Sequence, residues 1–224
     1  MPAQGTLRDG TAAGLELIET LRWEPGEGFV RLERHLARLQ KSAEALGLSY
    51  DGPAVREVLQ GSVRGGNALR VRLTLAQDGT IRVTNAPFEP LPADAVWMLR
   101  IAGTRLESTD PLVRHKTTRR QRYEAARAEF SREEADEVLL ANERGEICEG
   151  TITNVFADFG DGVLATPALD CGLLPGVLRG ELLETGKARE AVLTEADLRA
   201  ATAIYVGNSL RGLIRARLAY RAIV

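Results

Sequence analysis

Residues 142–156 read NERGEICEGTITNVF. We interpret this stretch as a turn, a short strand and a hydrophobic strand, and we expect VLATP (163–167) to pair with the second strand across the Gly160–Asp161–Gly162 turn. Glu149 stands between a cysteine and a glycine in these apolar surroundings. Burying such a carboxylate is costly unless a cation pairs with it. The residues alone favour an edge or turn glutamate, with a buried and paired glutamate as the other interpretation.

A second decisive stretch, ATPALDCGLLPGVLRGELLE, covers residues 165–184. The strand breaks at Pro167, and a helix is predicted over 176–186 after the Pro175–Gly176 pair. Free backbone N–H groups at such a helix start form an anion site, although a simple helix cap is the plainer interpretation. The stretch lacks both a Walker A lysine and the GxGxxG order, so the usual nucleotide sites are not indicated.

The N-terminal part of the chain has the pattern of a small α+β unit. Residues 29–47 repeat apolar side chains at spacings of four and three, which predicts an amphipathic helix that ends at a glycine. A short second helix is predicted over 54–60. The runs 15–23 and 68–75 predict strands, and Asp78–Gly79 predicts a hairpin turn into the run TIRVT.

Prolines mark the connection to the rest of the chain. Three of them lie in APFEPLPADA (86–95) and cannot all sit inside regular structure. Beyond them, the strand-like runs VWMLRI, EVLLAN and AIYVGN are interrupted by helical patterns, the first over 117–130. We therefore predict a small N-terminal α+β domain over 1–88, a Pro-rich linker over 89–95 and a larger C-terminal mixed α/β domain over 96–224.

The composition indicates a packed globular protein. Of 224 residues, 44% are hydrophobic and 27% are charged, which excludes a disordered or collagen-like chain. A net charge of −2 gives no general attraction for nucleic acid or anionic lipid, and no run is apolar enough to span a membrane. Two cysteines and two histidines poorly supply a disulfide framework or a zinc site, so we expect a cytoplasmic protein without a metal.

Lysine is rare in this chain, because only Lys41, Lys116 and Lys187 occur among 29 lysines and arginines. Lys116 lies in RHKTTRRQR (114–122), where arginine would have supplied a plain positive charge. Unlike a guanidinium, an ammonium in a desolvated cationic pocket can lose its proton and become a nucleophile. Three interpretations remain: a nucleic-acid patch, which the lack of interleaved aromatic residues disfavours, a solvated helix face, or a buried Schiff-base lysine.

Taken in order, four blocks resemble the fold type IV family of pyridoxal 5′-phosphate enzymes, which includes class IV aminotransferases and aminodeoxychorismate lyases. The blocks are ERHLARL (33–39), HKTT (115–118), EICEGTITNVF with VLATP and LLPGVLR (146–179), and VGNSL (206–210). Each block alone is a weak signal, whereas the ordered combination is quite specific. The resemblance implies a two-domain α/β fold and bound pyridoxal phosphate.

The resemblance also implies roles for two central residues. Lys116 matches the family's lysine that forms a Schiff base with the cofactor and moves a proton at the substrate Cα. Glu149 matches the acid that pairs with the protonated pyridine nitrogen. That carboxylate keeps the ring positive and therefore able to accept electrons.

Four further residues match positions that hold the cofactor phosphate. Arg38, at the end of the xxHxxRL pattern, resembles the family's phosphate-clamping arginine, whose planar fork suits bidentate binding. Val177 and Leu178 match positions whose backbone amides bind the phosphate, and Ser209 matches a hydroxyl ligand. Many members have threonine where Leu178 stands, so one side-chain contact is missing here and we expect lower cofactor affinity.

The reaction implied by the resemblance is open between two chemistries that share all these residues. The leading hypothesis is amino transfer between a small amino acid and a 2-keto acid, with branched-chain amino acids as candidates. The alternative is an aminodeoxychorismate lyase that releases pyruvate and 4-aminobenzoate. Arg120 matches an arginine of lyase-like members, and Gln121 replaces a tyrosine common in branched-chain aminotransferases. A cofactor-free interaction protein on the same scaffold is a third possibility, and for either enzyme we expect a homodimer.

Overall fold

The computed structural model describes residues 14–219. These residues divide into two compact units. The N-terminal unit comprises the described residues up to Phe88 together with Lys116–Arg119. The C-terminal unit comprises Glu89–His115 and the described residues from Arg120 onward. Lys116 therefore groups with the N-terminal unit, although the residues that flank its segment in sequence belong to the C-terminal unit.

The N-terminal unit contains an antiparallel sheet of four strands in the order β2-β1-β3-β4. Its elements are β1 (Leu17–Glu24), β2 (Gly28–Phe29), α1 (Leu32–Leu46), α2 (Gly52–Ser62), β3 (Leu69–Leu75) and β4 (Ile81–Pro87). Both predicted helices and the predicted hairpin are confirmed. The first helix begins later than its apolar pattern because Arg31 adopts a left-handed conformation with a φ of 58°. It ends as predicted at Gly47, whose N–H bonds to the carbonyl oxygen of Ala43.

The core of this unit lies between the sheet and the helices. Leu17 and Leu21 of β1 are paired with Leu75 and Val71 of β3, and all four side chains are buried. Leu39 of α1 belongs to the same buried cluster. The alternation along β1 therefore sets one face against the helices, and Glu19 occupies a position on that buried face.

The C-terminal unit is built on a mixed sheet of eight strands in the order β10-β9-β8-β11-β12-β5-β6-β7. Its elements are β5 (Val96–Leu106), α3 (Gln121–Ala128), β6 (Glu137–Asn142), β7 (Ile147–Gly150), β8 (Asn154–Asp158), β9 (Leu164–Pro167), α4 (Val177–Glu184), β10 (Ala188–Ala191), α5 (Glu195–Ala200), β11 (Ala203–Asn208) and β12 (Gly212–Leu218). β5 runs parallel to β12 and β6, whereas β11 runs antiparallel to β8 and β12. The predicted mixed α/β fold class is confirmed, as is the hairpin of β8 and β9.

The predicted helix over 117–130 is wrong in its first turn. Thr117 forms an isolated antiparallel bridge with Leu17, and α3 begins only at Gln121. The backbone N–H of Thr118 donates to the carbonyl oxygen of Glu16 at 2.9 Å, and its hydroxyl accepts from the N–H of Glu16 at 3.0 Å. These threonines satisfy their backbone groups against β1, which competes with helix formation.

One of the three prolines in the run 86–95 lies inside a strand. Pro87 is the last residue of β4 and lies opposite Leu69. Because β4 is an edge strand, a missing N–H can be tolerated there. Pro90 and Pro92 lie outside regular structure, which agrees with the prediction that the three prolines cannot all sit inside it. Separately, no helix within residues 14–219 is long and apolar enough to cross a membrane.

Candidate active site

Lys116 is half-buried and lies in an extended segment alongside β1. Its carbonyl oxygen accepts a hydrogen bond of 2.7 Å from the N–H of Ile18. Thr117 and Thr118, which follow it, are held by the bridge to Leu17 and the two bonds to Glu16. The backbone at the candidate nucleophile and in the two residues after it is therefore fixed against β1 and the residue that precedes this strand.

Arg38 projects from α1 onto the buried Glu19 of β1. Its Nε donates to Oε1 of Glu19 at 2.9 Å, and one terminal nitrogen donates to Oε2 at 2.6 Å. Nδ1 of the buried His35 lies 2.6 Å from the same Oε2. We call Glu19, His35 and Arg38 the Glu19 cluster. The cluster fixes the guanidinium plane of Arg38 through a two-point contact, the geometry in which arginine is most directional.

The electrostatics of the cluster favour an ionised glutamate. Burial by itself raises the pKa of Glu19, but the charges and hydrogen bonds of Arg38 and His35 outweigh it and lower the pKa to about 2. The sequence analysis missed Glu19. The sequence nevertheless carries a signal for it. The alternation of β1 puts Glu19 on the apolar face, and a carboxylate can be buried there only if a cation pairs with it.

β1 also joins the two candidate residues of the N-terminal unit. Ile18 binds the backbone of Lys116, and the next residue, Glu19, binds the side chain of Arg38. The side chains of adjacent strand residues point to opposite faces of the sheet, whereas a backbone hydrogen bond does not depend on which face the side chain occupies. A single strand therefore positions both an amine-bearing segment and a guanidinium.

Glu149 lies in β7, the edge strand of the eight-stranded sheet, as one interpretation of the sequence expected, but its side chain is buried. Its Oε1 accepts a hydrogen bond of 2.7 Å from the hydroxyl of Tyr123 and one of 3.1 Å from the N–H of Leu174. Burial and the neighbouring Glu149 charge raise the pKa of Tyr123 well above its usual range, so the phenol remains a hydrogen-bond donor. The sequence analysis did not single out Tyr123 or Leu174.

The loop that follows Glu149 is held by a second buried carboxylate. Glu137 of β6 accepts hydrogen bonds from the N–H and hydroxyl of Thr151, from the N–H of Ile152 and from the hydroxyl of Thr153. Their lengths run from 2.5 to 3.1 Å. Glu137 therefore fixes the chain direction immediately after Glu149.

The helix start predicted as an anion site is present at α4. Val177 is its first residue, and the preceding Gly176 makes no side-chain cap, so the first N–H groups have no partner within the helix. Asn154 of β8 lies against Gly176 so closely that a Cβ at Gly176 would collide with its side-chain oxygen. The Asn154 amide also donates to the carbonyl oxygen of Leu174 at 3.1 Å. Leu174 is therefore held at both ends of its backbone, by Glu149 and by Asn154.

Ser209 is buried in the turn between β11 and β12. The side chain of Asn208 shapes this turn, since its oxygen accepts from the N–H groups of Leu210 and Arg211 and its amide donates to the carbonyl oxygen of Ile152. The turn also lies close to the start of α4. A Cβ at Gly207 would stand 2.9 Å from a methyl carbon of Leu178.

The structure therefore brings the candidate residues together in two sets. In the N-terminal unit, β1 contacts both the backbone of Lys116 and the side chain of Arg38. In the C-terminal unit, Glu149 is joined to the start of α4 through Leu174, and Leu178 packs beside the strand that leads to Ser209. Chemically, the first set offers an amine and a guanidinium, and the second offers a carboxylate and a group of anion-binding donors.

The two cysteines are packing residues in this structure. Cys148 and Cys171 are buried free thiols, and the Cys148 thiol donates to the carbonyl oxygen of Cys171 at 3.1 Å. Burial raises the pKa of Cys148 well above its usual range and that of Cys171 to about 11, so both stay protonated near neutral pH. Across residues 14–219, no group of three or more His, Cys, Asp or Glu side chains could hold a metal ion.

Comparisons with known proteins place these features in context. The family model described as amino-transferase class IV matches residues 16–219. A Schizosaccharomyces pombe protein provisionally named an aminodeoxychorismate lyase is 32% identical over 87% of this chain and 86% of that protein. A Thermotoga maritima protein provisionally named a branched-chain-amino-acid aminotransferase is 28% identical over 80% of this chain and 66% of that protein. A solved structure from Mesorhizobium loti, provisionally named an amino-acid aminotransferase, is 61% identical with a TM-score of 0.90, covering 92% of this chain and 100% of that chain.

Proposed function

Because the chain belongs to the class IV aminotransferase family, we propose that it transfers an amino group between a small amino acid and a 2-keto acid, with branched-chain amino acids among the candidate donors. Enzymes of this family use pyridoxal 5′-phosphate, and this chain is an enzyme of that kind. The observation that carries amino transfer is the 61% identity to the Mesorhizobium loti protein provisionally named an amino-acid aminotransferase.

The donor set of the C-terminal unit fits the phosphate and ring of this cofactor. An uncapped helix start, a glycine that a side chain could not replace, and a buried serine nearby suit a phosphate group. The buried carboxylate of Glu149 suits a protonated ring nitrogen. We assign the phosphate to the amides of Val177 and Leu178 and to the hydroxyl of Ser209, and the ring nitrogen to Glu149.

The donor set of the N-terminal unit fits the remaining parts of the cofactor. We assign the amine of Lys116 to the aldehyde and the guanidinium of Arg38 to the phosphate. Arg38 is suited to this role because Glu19 already fixes its plane. Lys116 is suited to its role because an amine, unlike a guanidinium, can be deprotonated and can act as a nucleophile.

When bound, pyridoxal phosphate supplies an electrophilic aldehyde and a ring that accepts electrons from the substrate Cα. The residues of this chain provide the rest. Lys116 carries a proton to and from the substrate Cα, which requires that its amine be neutral for part of the cycle. Glu149 keeps a positive charge on the ring nitrogen, and Arg38 with the start of α4 holds the phosphate so that the ring does not shift during the proton transfer.

The alternative reaction is the elimination of pyruvate from 4-amino-4-deoxychorismate to give 4-aminobenzoate. The name of the Schizosaccharomyces pombe relative supports it. The match of Arg120 to an arginine of lyase-like members also supports it, and in the structure this side chain is engaged within the C-terminal unit. Its guanidinium donates to the carbonyl oxygen of Thr151 at 2.5 Å and lies 4.8 Å from the ring centroid of Tyr123. These contacts of Arg120 are compatible with either reaction.

The test is a substrate panel on the purified protein loaded with pyridoxal phosphate. One arm offers single amino acids with 2-oxoglutarate or pyruvate as acceptor and detects the new keto acid by mass spectrometry. The other arm offers 4-amino-4-deoxychorismate and detects pyruvate and 4-aminobenzoate. Keto-acid formation without 4-aminobenzoate supports the proposal, whereas efficient 4-aminobenzoate release with no transamination overturns it in favour of the lyase.

Two properties of the protein accompany this proposal. We propose a cytoplasmic location, which two buried free thiols support because they suit a reducing compartment. The cofactor-free interaction protein considered from the sequence is not supported, since the family uses pyridoxal phosphate. Borohydride treatment of the loaded protein should therefore attach the cofactor to the peptide that contains Lys116.

A further inference from the structure

The side chain of Tyr123 donates a hydrogen bond to the buried carboxylate of Glu149. Its hydroxyl donates to Oε1 of Glu149 at 2.7 Å, and the N–H of Leu174 donates to the same oxygen at 3.1 Å. Hydrogen bonds to a carboxylate favour its ionised form. Because both donors use one oxygen, they also restrict rotation of the carboxylate about its axis.

Arg120 holds the Tyr123 ring in place. The guanidinium lies 4.8 Å from the ring centroid, within the distance of a cation–π contact, and it donates to the carbonyl oxygen of Thr151 at 2.5 Å. Thr151 stands two residues after Glu149. Arg120 therefore links the Tyr123 ring to the chain segment that carries the carboxylate, which holds the phenol close to Glu149.

We propose that Tyr123, held by Arg120, is a positioning residue that keeps the Glu149 carboxylate ionised and oriented for the ring nitrogen of pyridoxal phosphate. The inference rests on the proposed role of Glu149 and deepens it. It follows from the two hydrogen bonds to Oε1. It assigns a function to a tyrosine seven residues after Lys116, where the sequence offers only a helical pattern.

The titratable groups around the phenol do not compete with this role. Burial and the Glu149 charge raise the pKa of Tyr123, and the nearby Arg120 lowers it less than they raise it. Burial also raises the pKa of the adjacent Cys148 thiol, so that group stays neutral. Over the neutral pH range the phenol therefore donates to Glu149 without titrating.

The experiment compares Tyr123→Phe with the parent protein and with Tyr205→Phe. The first substitution removes only the hydroxyl that reaches Glu149. Tyr205 is a half-buried tyrosine of β11 in the same unit, and its hydroxyl has no hydrogen bond within residues 14–219 as the structure describes them. Both variants therefore lose a phenol oxygen. In Tyr123→Phe the lost hydroxyl is the one that bonds to Glu149, whereas in Tyr205→Phe it has no hydrogen-bond partner among the described residues.

Three measurements are made for each variant: the steady-state kinetics, which give kcat and KM, the dissociation constant of pyridoxal phosphate, and the pH dependence of the absorption of the bound cofactor. A hydrogen bond to a charged group suggests about a tenfold fall in kcat for Tyr123→Phe with KM nearly unchanged. We also expect weaker cofactor binding and a shifted absorption profile. Tyr205→Phe should resemble the parent protein in all three.

A double-variant comparison separates positioning from packing. In the Glu149→Gln background, Tyr123→Phe should cause almost no further loss of kcat, because the group on which the phenol acts is already altered. A purely structural tyrosine would instead give losses that multiply. If Tyr123→Phe does not fold, Arg120→Gln replaces it, and we expect the same direction of change with a smaller size.

The outcomes are distinguishable from failure of the proposed function. An altered profile for Glu149→Gln with an unchanged one for Tyr123→Phe would overturn the inference and leave the proposed function intact. An unchanged absorption profile and cofactor affinity in Glu149→Gln would overturn the assignment of Glu149 and the inference with it. Because affinity and absorption are measured without substrate, the Tyr123 result stands even if the chain catalyses the lyase reaction.

Discussion

Replacing Glu19 with glutamine should destabilise the N-terminal unit strongly and in a pH-dependent way. Glu19 has a pKa of about 2 in the folded chain, compared with an ordinary value of 4.5. A difference of this size corresponds to about 3 kcal/mol of stability. The substitution also leaves the Arg38 charge without its buried partner, and breaking such a pair costs about 3–5 kcal/mol in total at neutral pH.

The sign of the pH dependence follows from the lowered pKa. The contribution of ionised Glu19 is fully present above pH 4.5 and is lost as the pH falls toward 2. The difference in unfolding free energy between the parent protein and Glu19→Gln should therefore be constant from pH 7 to 6. It should then shrink by about 2 kcal/mol by pH 3.

The assay is urea unfolding followed by tryptophan fluorescence in a Trp97→Phe background. Trp23, the other tryptophan of the chain, lies in β1 and packs on the core of the N-terminal unit, so its emission reports that unit. Glu33→Gln is the matched control. Glu33 lies on the exposed surface of α1 in an ion pair with Arg56, and its loss should change the stability only slightly because solvent screens such a pair. A Glu19→Gln protein within 1 kcal/mol of the parent, or a difference that does not change between pH 7 and 3, would refute the reasoning.

Three further predictions concern the active site and assembly. Lys116→Arg should reduce turnover by at least roughly a thousandfold, because a guanidinium can neither attack the aldehyde nor carry the proton. The control is Lys187→Arg, at an exposed lysine, which should turn over normally in the same assay. Gly176→Ala should weaken cofactor binding and lower the unfolding free energy by about 1–3 kcal/mol, because its Cβ collides with Asn154. Gly180, inside the α4 helix that Gly176 precedes, has open space around it, so Gly180→Ala should be neutral or slightly stabilising. Equal effects in the two variants would contradict this account. Light scattering at micromolar concentration should give about twice 24.3 kDa, as expected for a homodimer, and an active monomer would disprove this assembly.

Much of the fold could be predicted because its signals are local. The alternation in β3, the spacing of leucines in α1 and the Pro175–Gly176 pair before α4 each lie within one element. The segment at Thr117 was mispredicted for the opposite reason. Its helical pattern continues from α3, but its backbone is bonded to β1, a hundred residues earlier in the chain. Tertiary pairing of this kind overrides local propensity.

The supporting residues of the site could not be predicted in the same way. Glu19 and Arg38 are 19 residues apart, and Tyr123 and Glu149 are 26 apart, so neither contact follows a helical or strand period. Glu19 had a usable signal, since it places a charge on the apolar face of a strand. Tyr123 had none, because an aromatic residue on a short helix is an ordinary core residue.

Leu178 shows how these supports change the meaning of a missing side-chain contact. The sequence predicts a weaker hold on the phosphate here, because a leucine replaces the threonine that many family members have. In the structure, Leu178 is buried with Phe156, Leu182 and Ala188 and packs against Gly207, so it fixes the start of α4 from its apolar side. A backbone N–H can donate whichever side chain its residue carries, and the direction of the N–H is set by the start of the helix. The replacement therefore removes one hydroxyl but leaves the amide donors in place, and the phosphate site that we propose depends on the position of the helix more than on the identity of residue 178.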